Sequence, residues 1–172
     1  MFAQAIQDNL NQFSKTLTNA IAFCDKANAF ADAKKFEVTN LLSARLAPDQ
    51  FNFIRQIQIA TDVAKGAAAR LSGQEPPKWD DNEATINDVK ARLQKTVDYL
   101  KTMKPENFKD AETRKIIQPR TPDQYLTGKE FFYEHALPNF FFHVTTAYAI
   151  LRHNGVDIGK KDYLGTIPYK KL

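Results

Sequence analysis

A chain of 172 residues with 24 basic and 20 acidic side chains carries a net charge of +4. That excess is slight and sits largely in Lys160, Lys161, Lys170 and Lys171, so it forms no basic stripe of the kind that marks a nucleic-acid binder. One domain over residues 1–172 is expected, with roughly 70% of the unfolded chain's surface buried.

The single cysteine, Cys24, permits no intrachain disulfide, and the start MFAQAIQDNL has no signal-peptide pattern. No apolar run reaches the ~18 residues of a membrane span, so no membrane contact is expected and the setting is cytoplasmic.

From Ile6 the apolar positions Ile6, Leu10, Phe13, Leu17, Ile21 and Cys24 recur every three or four residues and predict one amphipathic helix. The connection VTNLLSARLAPD follows and packs its leucines. The second helix is placed after Pro48, which suits a first turn, with Asp49 favoured there by the helix dipole. Its apolar face holds Phe53, Ile57, Ala60, Ala64 and Leu71, and Gly73 stops it. Arg55, Gln58, Asp62 and Lys65 gather opposite that face and read as a solvated surface. In the loop QEPPKWDDN, Trp79 reads as an anchor against a bundle end.

Thr85 and Asp88 have the spacing of a capping box, and Ile86, Val89, Leu93, Val97, Leu100 and Met103 mark the third helix. Residues 105–127 contain Pro105, Pro119 and Pro122 and lose helical periodicity. They predict an irregular excursion with a short hairpin around Pro119 to Asp123. A second capping box, Thr127 with Glu130, opens the fourth helix, which Pro138 should kink and Gly155 should end. Residues 156–172 form a tail that packs on the domain. The expected fold is all-α: a four-helix bundle whose helices run roughly 20 to 27 residues.

On a helical wheel Phe132, Ala136, Asn139, His143, Thr146, Ala147 and Ile150 share one sector of the fourth helix, while Phe141, Val144, Tyr148 and Leu151 spread over another. A helix apolar nearly all round calls for burial nearly all round. The excursion, the tail or a second subunit must supply the cover, and a two-fold homodimer is the expected partner because it does so with an equivalent helix. Asn139, His143 and Thr146 are neighbours on the inward sector and need hydrogen-bond partners there. Either they satisfy one another and the backbone, or they line a small pocket for a small-molecule ligand. His135 and His153 lie on the flank and read as boundary or surface residues, and Cys24 as an inert core residue.

The segments ARLAPDQFNFIRQIQIATDVAKGAAARLSG and HALPNFFFHVTTAYAILRHNG resemble a bacterial family of unknown function, DUF1993, over nearly the whole chain. The resemblance implies the DinB/YfiT-like superfamily of four-helix bundles, many members of which are regarded as metalloenzymes or thiol-dependent transferases. Its metal-binding members take one histidine from the second helix and a His-x-x-x-His pair from the fourth. By that resemblance His143 falls on the second position of the pair and Asn139 on the first. The second-helix ligand falls between Arg55 and Ile59, where Gln56 or Ile59 faces inward.

One imidazole with two neutral amides is a poor set for zinc or nickel. No cofactor is therefore expected, and His143 is the one weak candidate ligand for a divalent transition metal. The candidate pocket is His143, Asn139, Gln56 and Thr146. Two functions follow. One is a non-enzymatic or vestigial DinB-like bundle with that pocket. The other is a metal- or thiol-dependent transferase or hydrolase in which His143 acts as general base or single metal ligand, assisted by Gln56 and Asn139.

Overall fold

The stripe that begins at Ile6 belongs to a helix longer than its spacing marks: α1 runs Phe2–Lys34 in a computed structural model that describes residues 1–171. A short helix, α2 (Thr39–Ser43), lies in the following connection and buries Leu41 and Leu42. Helix α3 spans Phe53–Leu71 and starts later than Pro48 suggests. Asn52 is its N-cap, the side-chain oxygen accepting from the Arg55 N–H at 3.0 Å. A capping amide satisfies one of the orphan donors of the first turn, which proline cannot do. Pro48 and Asp49 therefore lie in a turn outside the helix and not in its first turn.

Helix α4 (Ile86–Lys101) opens on the reciprocal Thr85 and Asp88 box. A 3₁₀ turn (Pro105–Phe108) leads to two antiparallel strands, β1 (Lys115–Gln118) and β2 (Thr121–Thr127). Ile116 pairs with Leu126, and the register shifts between Ile116 and Gln118. The hairpin is wider than the Pro119 to Asp123 turn expected there. The protein is mostly helical with this one small sheet among the described residues, so a wholly α-helical description is too narrow.

The fourth long helical stretch comprises α5 (Gly128–Glu130), a π-helical turn (Phe131–Ala136) and α6 (Leu137–His153). Pro138 falls in the first turn of α6. The turn before it widens, so that the Leu137 N–H reaches the Phe132 carbonyl five residues back. A proline ring collides with the carbonyl one α-turn earlier, and a π turn moves that carbonyl away. Gly155 follows the helix at φ 93°, and a last short helix, α7 (Lys160–Leu164), closes the chain.

Helix α1 packs along α4 and α6, and α3 along the same two helices from the other side. The apolar surplus of α6 is covered within the chain. Val144 and Leu151 are fully buried. Phe141 meets Phe13 edge-on at 5.8 Å, and Tyr148 lies between Phe23 and Tyr163. The tail is held by Asn19, whose amide donates to the Tyr163 carbonyl at 3.0 Å, and by the Lys26 to Asp162 ion pair at 2.7 Å. Its first apolar residues, Val156 and Ile158, are buried. The last residue of that tail, Leu172, lies outside the described residues. A second subunit is thus not needed for the cover that the wheel of α6 demands.

Close approach of backbone fixes Gly128. At Gly128 a Cβ would overlap the carbonyl oxygen of Ala111 and meet Leu71 at 3.2 Å, whereas Gly159 faces open space. Gly128→Ala is expected to lower stability by about 2 kcal/mol or more, and Gly159→Ala by less than about 0.5 kcal/mol. Urea denaturation midpoints compare the two; equal shifts would contradict the packing described.

Candidate functional site

His143 sits in the middle of α6 against the first turns of α3 and is only 8% exposed. Its Nδ1 lies 2.6 Å from Gln56 Oε1, and the Gln56 amide nitrogen donates to the Phe51 carbonyl at 3.1 Å. The second bond settles the amide orientation, so its oxygen faces the ring and Nδ1 carries the proton. In the neutral tautomer Nε2 then keeps its lone pair, with no partner among the described residues. The exposed Phe142 ring stands edge-on at 5.2 Å. Burial first, and the Arg55 guanidinium second, hold the His143 pKa below 6.5. Near pH 7 the ring is neutral.

The structure brings Gln56 and His143 together and treats the other two candidates differently. Asn139 is half-buried and makes no side-chain hydrogen bond among the described residues. Thr146 donates to the Phe142 carbonyl at 2.7 Å, which commits its hydroxyl to its own helix. Two larger clefts, of ≈430 Å³ and ≈540 Å³, are lined by other residues.

The donor set does not fit a transition metal. Gln56 Oε1 is occupied by the His143 ring, and no group of three or more His, Cys, Asp or Glu among the described residues is placed to hold an ion. Cys24 is buried, and desolvation pushes its thiol up to about 12, so it is no nucleophile at neutral pH. His135 stacks on Phe131, with its pKa lowered by burial and then by Arg70, while His153 is exposed.

The face of α3 that reads as solvated is so only in part: Gln58 and Lys65 are buried, while Arg55 and Asp62 are part-exposed. Arg92 of α4 reaches it with a side chain 3% exposed and pairs with Asp62 at 2.8 Å, Asp81 at 3.0 Å and Glu83 at 3.0 Å. Its Nε donates to Thr61 at 2.7 Å. Gln58 donates to Glu83 at 2.8 Å, Lys65 pairs with Asp62 at 2.7 Å, and Arg55 pairs with Asp81. Trp79 lies over this cluster with Lys65 and Lys95 on its ring at 4.3 and 4.6 Å. Its partners are these cations and Tyr99, at the side of α3 and α4 rather than at a bundle end. The apolar spacing of α4 gives no sign of a buried arginine, because the burial depends on carboxylates from a loop and from α3.

The profile of the family described as a domain of unknown function, DUF1993, matches residues 7–164. The chain belongs to the DUF1993 family. A crystal structure of a DinB family member protein from Shewanella denitrificans is 52% identical, superposes with a TM-score of 0.95, and is matched over 99% of this chain and 98% of its own. No curated protein matches the chain.

Because the folded pKa values of His143 and His135 are both depressed, the unfolded chain binds more protons than the native protein below about pH 6.5. Stability is therefore fully present above the unfolded value and is lost as pH falls toward and through the folded values. His143→Gln should flatten part of that acid loss. Urea midpoints measured between pH 7.5 and about 5 check this, and an unchanged slope in the variant would remove His143 from the account.

Proposed function

We propose that this DUF1993 chain is a single-domain, DinB-like four-helix bundle that is vestigial as a metalloenzyme and works by binding a small molecule. The observation that supports this is the His143 to Gln56 hydrogen bond. Where the superfamily resemblance implies two metal ligands, the chain has an amide locked to an imidazole, and Asn139 adds only a second amide. Such a pair ties α6 to α3 and supplies no thiolate, carboxylate or second imidazole for zinc or nickel.

The proposed setting is cytoplasmic. No helix among the described residues is long and apolar enough to cross a membrane. A homodimer remains part of the proposal on a different ground from the burial of α6. Phe51 and Phe142, 54% and 56% exposed, flank the Gln56 to His143 pair and suit a self-complementary contact.

One observation favours a second reading. A ring whose Nδ1–H is held and whose Nε2 is unpaired has the form of an oriented general base, as a transferase or hydrolase acting through His143 would need. Elemental analysis of protein purified without an affinity tag tests the main reading. No stoichiometric transition metal is expected. Zinc, nickel, iron or manganese at one per chain, lost in His143→Ala, would overturn it in favour of a metalloenzyme.

A further inference from the structure

The hairpin passes the C-terminal end of α3 and leaves there the ≈540 Å³ cleft, lined by Arg70, Gly73, Glu75, Arg114, Lys115 and Ile116 among others. Its volume lies within the ~300 to 1,000 Å³ usual for small-molecule sites. Arg70 and Arg114 both line it, in settings unlike those of the protein's other arginines and lysines just described. Arg70 folds back across its own helix over Gly66, where a Cβ would stand 2.5 Å from its Nη1. Burial lowers its pKa, against a smaller opposing pull from Glu75. The Arg114 guanidinium lies against Gly73, where a Cβ would overlap its Nη1 and where φ is 79°.

Neither group forms an ion pair or donates a side-chain hydrogen bond among the described residues, and Arg114 Nε is sealed from solvent with no acceptor at all. Arg55, Lys65 and Arg92, by contrast, each have a carboxylate. Nε itself is out of a ligand's reach, but Arg114 lines the cleft without a carboxylate of its own, and a guanidinium so placed is open to an anionic partner. The helix end does not supply one. The carbonyls of Ala68, Ala69 and Arg70 already accept from the N–H groups of Ser72, Gln74 and Gly73. Attraction of Arg114 to the dipole of α3 therefore leaves its Nε unexplained.

The charge balance of the lining is three cations, Arg70, Arg114 and Lys115, against the one carboxylate of Glu75. Beside them Ile116, Ile117 and Pro122 form an apolar wall. Planar guanidiniums pair with phosphate and carboxylate oxygens, and an apolar wall favours an organic body on the same ligand.

We propose that this cleft binds a small organic anion, its phosphate or carboxylate oxygens on Arg70 and Arg114 and its apolar part against the hairpin. This gives a site and a ligand class to the binding role proposed above, and it uses no property of His143.

Isothermal titration at low ionic strength with phenyl phosphate and with benzoate tests it. At least one probe is expected to bind saturably at one site, and which one binds separates phosphate from carboxylate recognition. Arg70→Gln and Arg114→Gln should each weaken that binding by about tenfold or more. The exposed Arg152→Gln and the distant His143→Ala should bind like the parent, with circular dichroism verifying the fold of each variant. Should Arg114→Gln not fold, phenylglyoxal modification of the parent protein read by mass spectrometry replaces it, the bound probe protecting Arg70 and Arg114 but not Arg152. Absence of saturable binding by both probes, equal affinity in all variants, lack of protection, or loss of binding in His143→Ala alone would each overturn the proposal. A metal found at His143 would reverse the reading of the family role and leave this result untouched.

Discussion

Helix α6 buries one broad apolar sector and leaves a strip holding Phe142, Thr145 and Arg152 exposed, and the other long elements are placed by that sector. Phe140, Val144, Ala147, Ile150 and Leu151 are buried in it, with Phe141 and Tyr148 half-buried at its edge. On one side Phe13 of α1 stacks on Phe140 with centroids 4.0 Å apart. On the other, α3 presents Ala60, Ala64, Ala67 and Ala68, all fully buried. Small residues on α3 and large rings on α6 fill one another's space, which lets the two helices lie close at interior packing density. What α1 and α3 leave open, Tyr163 and the tail cover. Each large side chain so buried stabilises by roughly 1.5 to 3 kcal/mol, so an intrachain cover removes the strongest reason for a second copy.

The far side of α3 obeys a different constraint. Arg92 is held among Thr61, Asp62, Asp81 and Glu83. Removing an arginine from water is expensive, and only several carboxylates with good geometry offset it. The useful consequence is positional. Residues 72–84 contain neither helix nor strand, but Asp81 and Glu83 bind Arg92, and Trp79 rests on two lysines. The loop is thereby fastened to α3 and α4. Asp81 also takes Arg55, the cation that helps to hold His143 neutral, so the charged side of α3 reaches electrostatically into the α3 and α6 interface.

Local rules in the sequence were enough for the long helices. The stripes of α1, α3 and α4, the boxes at Thr85 and Thr127 and the stop at Gly155 all depend on neighbours within a turn or two. The start of α3 was misread because Pro48 and Asn52 both suit a first turn, and the actual cap is set by how Asn52 meets the Arg55 N–H. The wheel put His143 inward, and the family resemblance offered Gln56 or Ile59 opposite it; Gln56 is the one that meets the ring. The wheel could not show that Thr146 would turn its hydroxyl onto its own helix, an option open to any helical threonine. The prolines of the excursion pointed to a short hairpin, but the settings of Arg92 and Arg114 lay beyond such reasoning. They are assembled from segments 9 to 41 residues apart, and apolar periodicity carries no record of which carboxylate or glycine will arrive.

The charged groups between the helices and those beside the hairpin are provided for differently. Between the helices Arg92 has Thr61 and three carboxylates and His143 has Gln56, although Gln7 Oε1 and the Tyr99 hydroxyl are buried without a partner. Beside the end of α3, Arg70 and Arg114 have no carboxylate, because the lining there holds three cations against the one carboxylate of Glu75. Irregular segments held by a rigid frame are where binding groups are commonly exposed. The same frame explains why an unpaired guanidinium can persist there. Arg114 enters from the segment just before β1, beside Gly128, whose contact with Ala111 leaves no room for a side chain. The backbone that carries the arginine is held against the body of the protein, and the group keeps its place without a partner of its own.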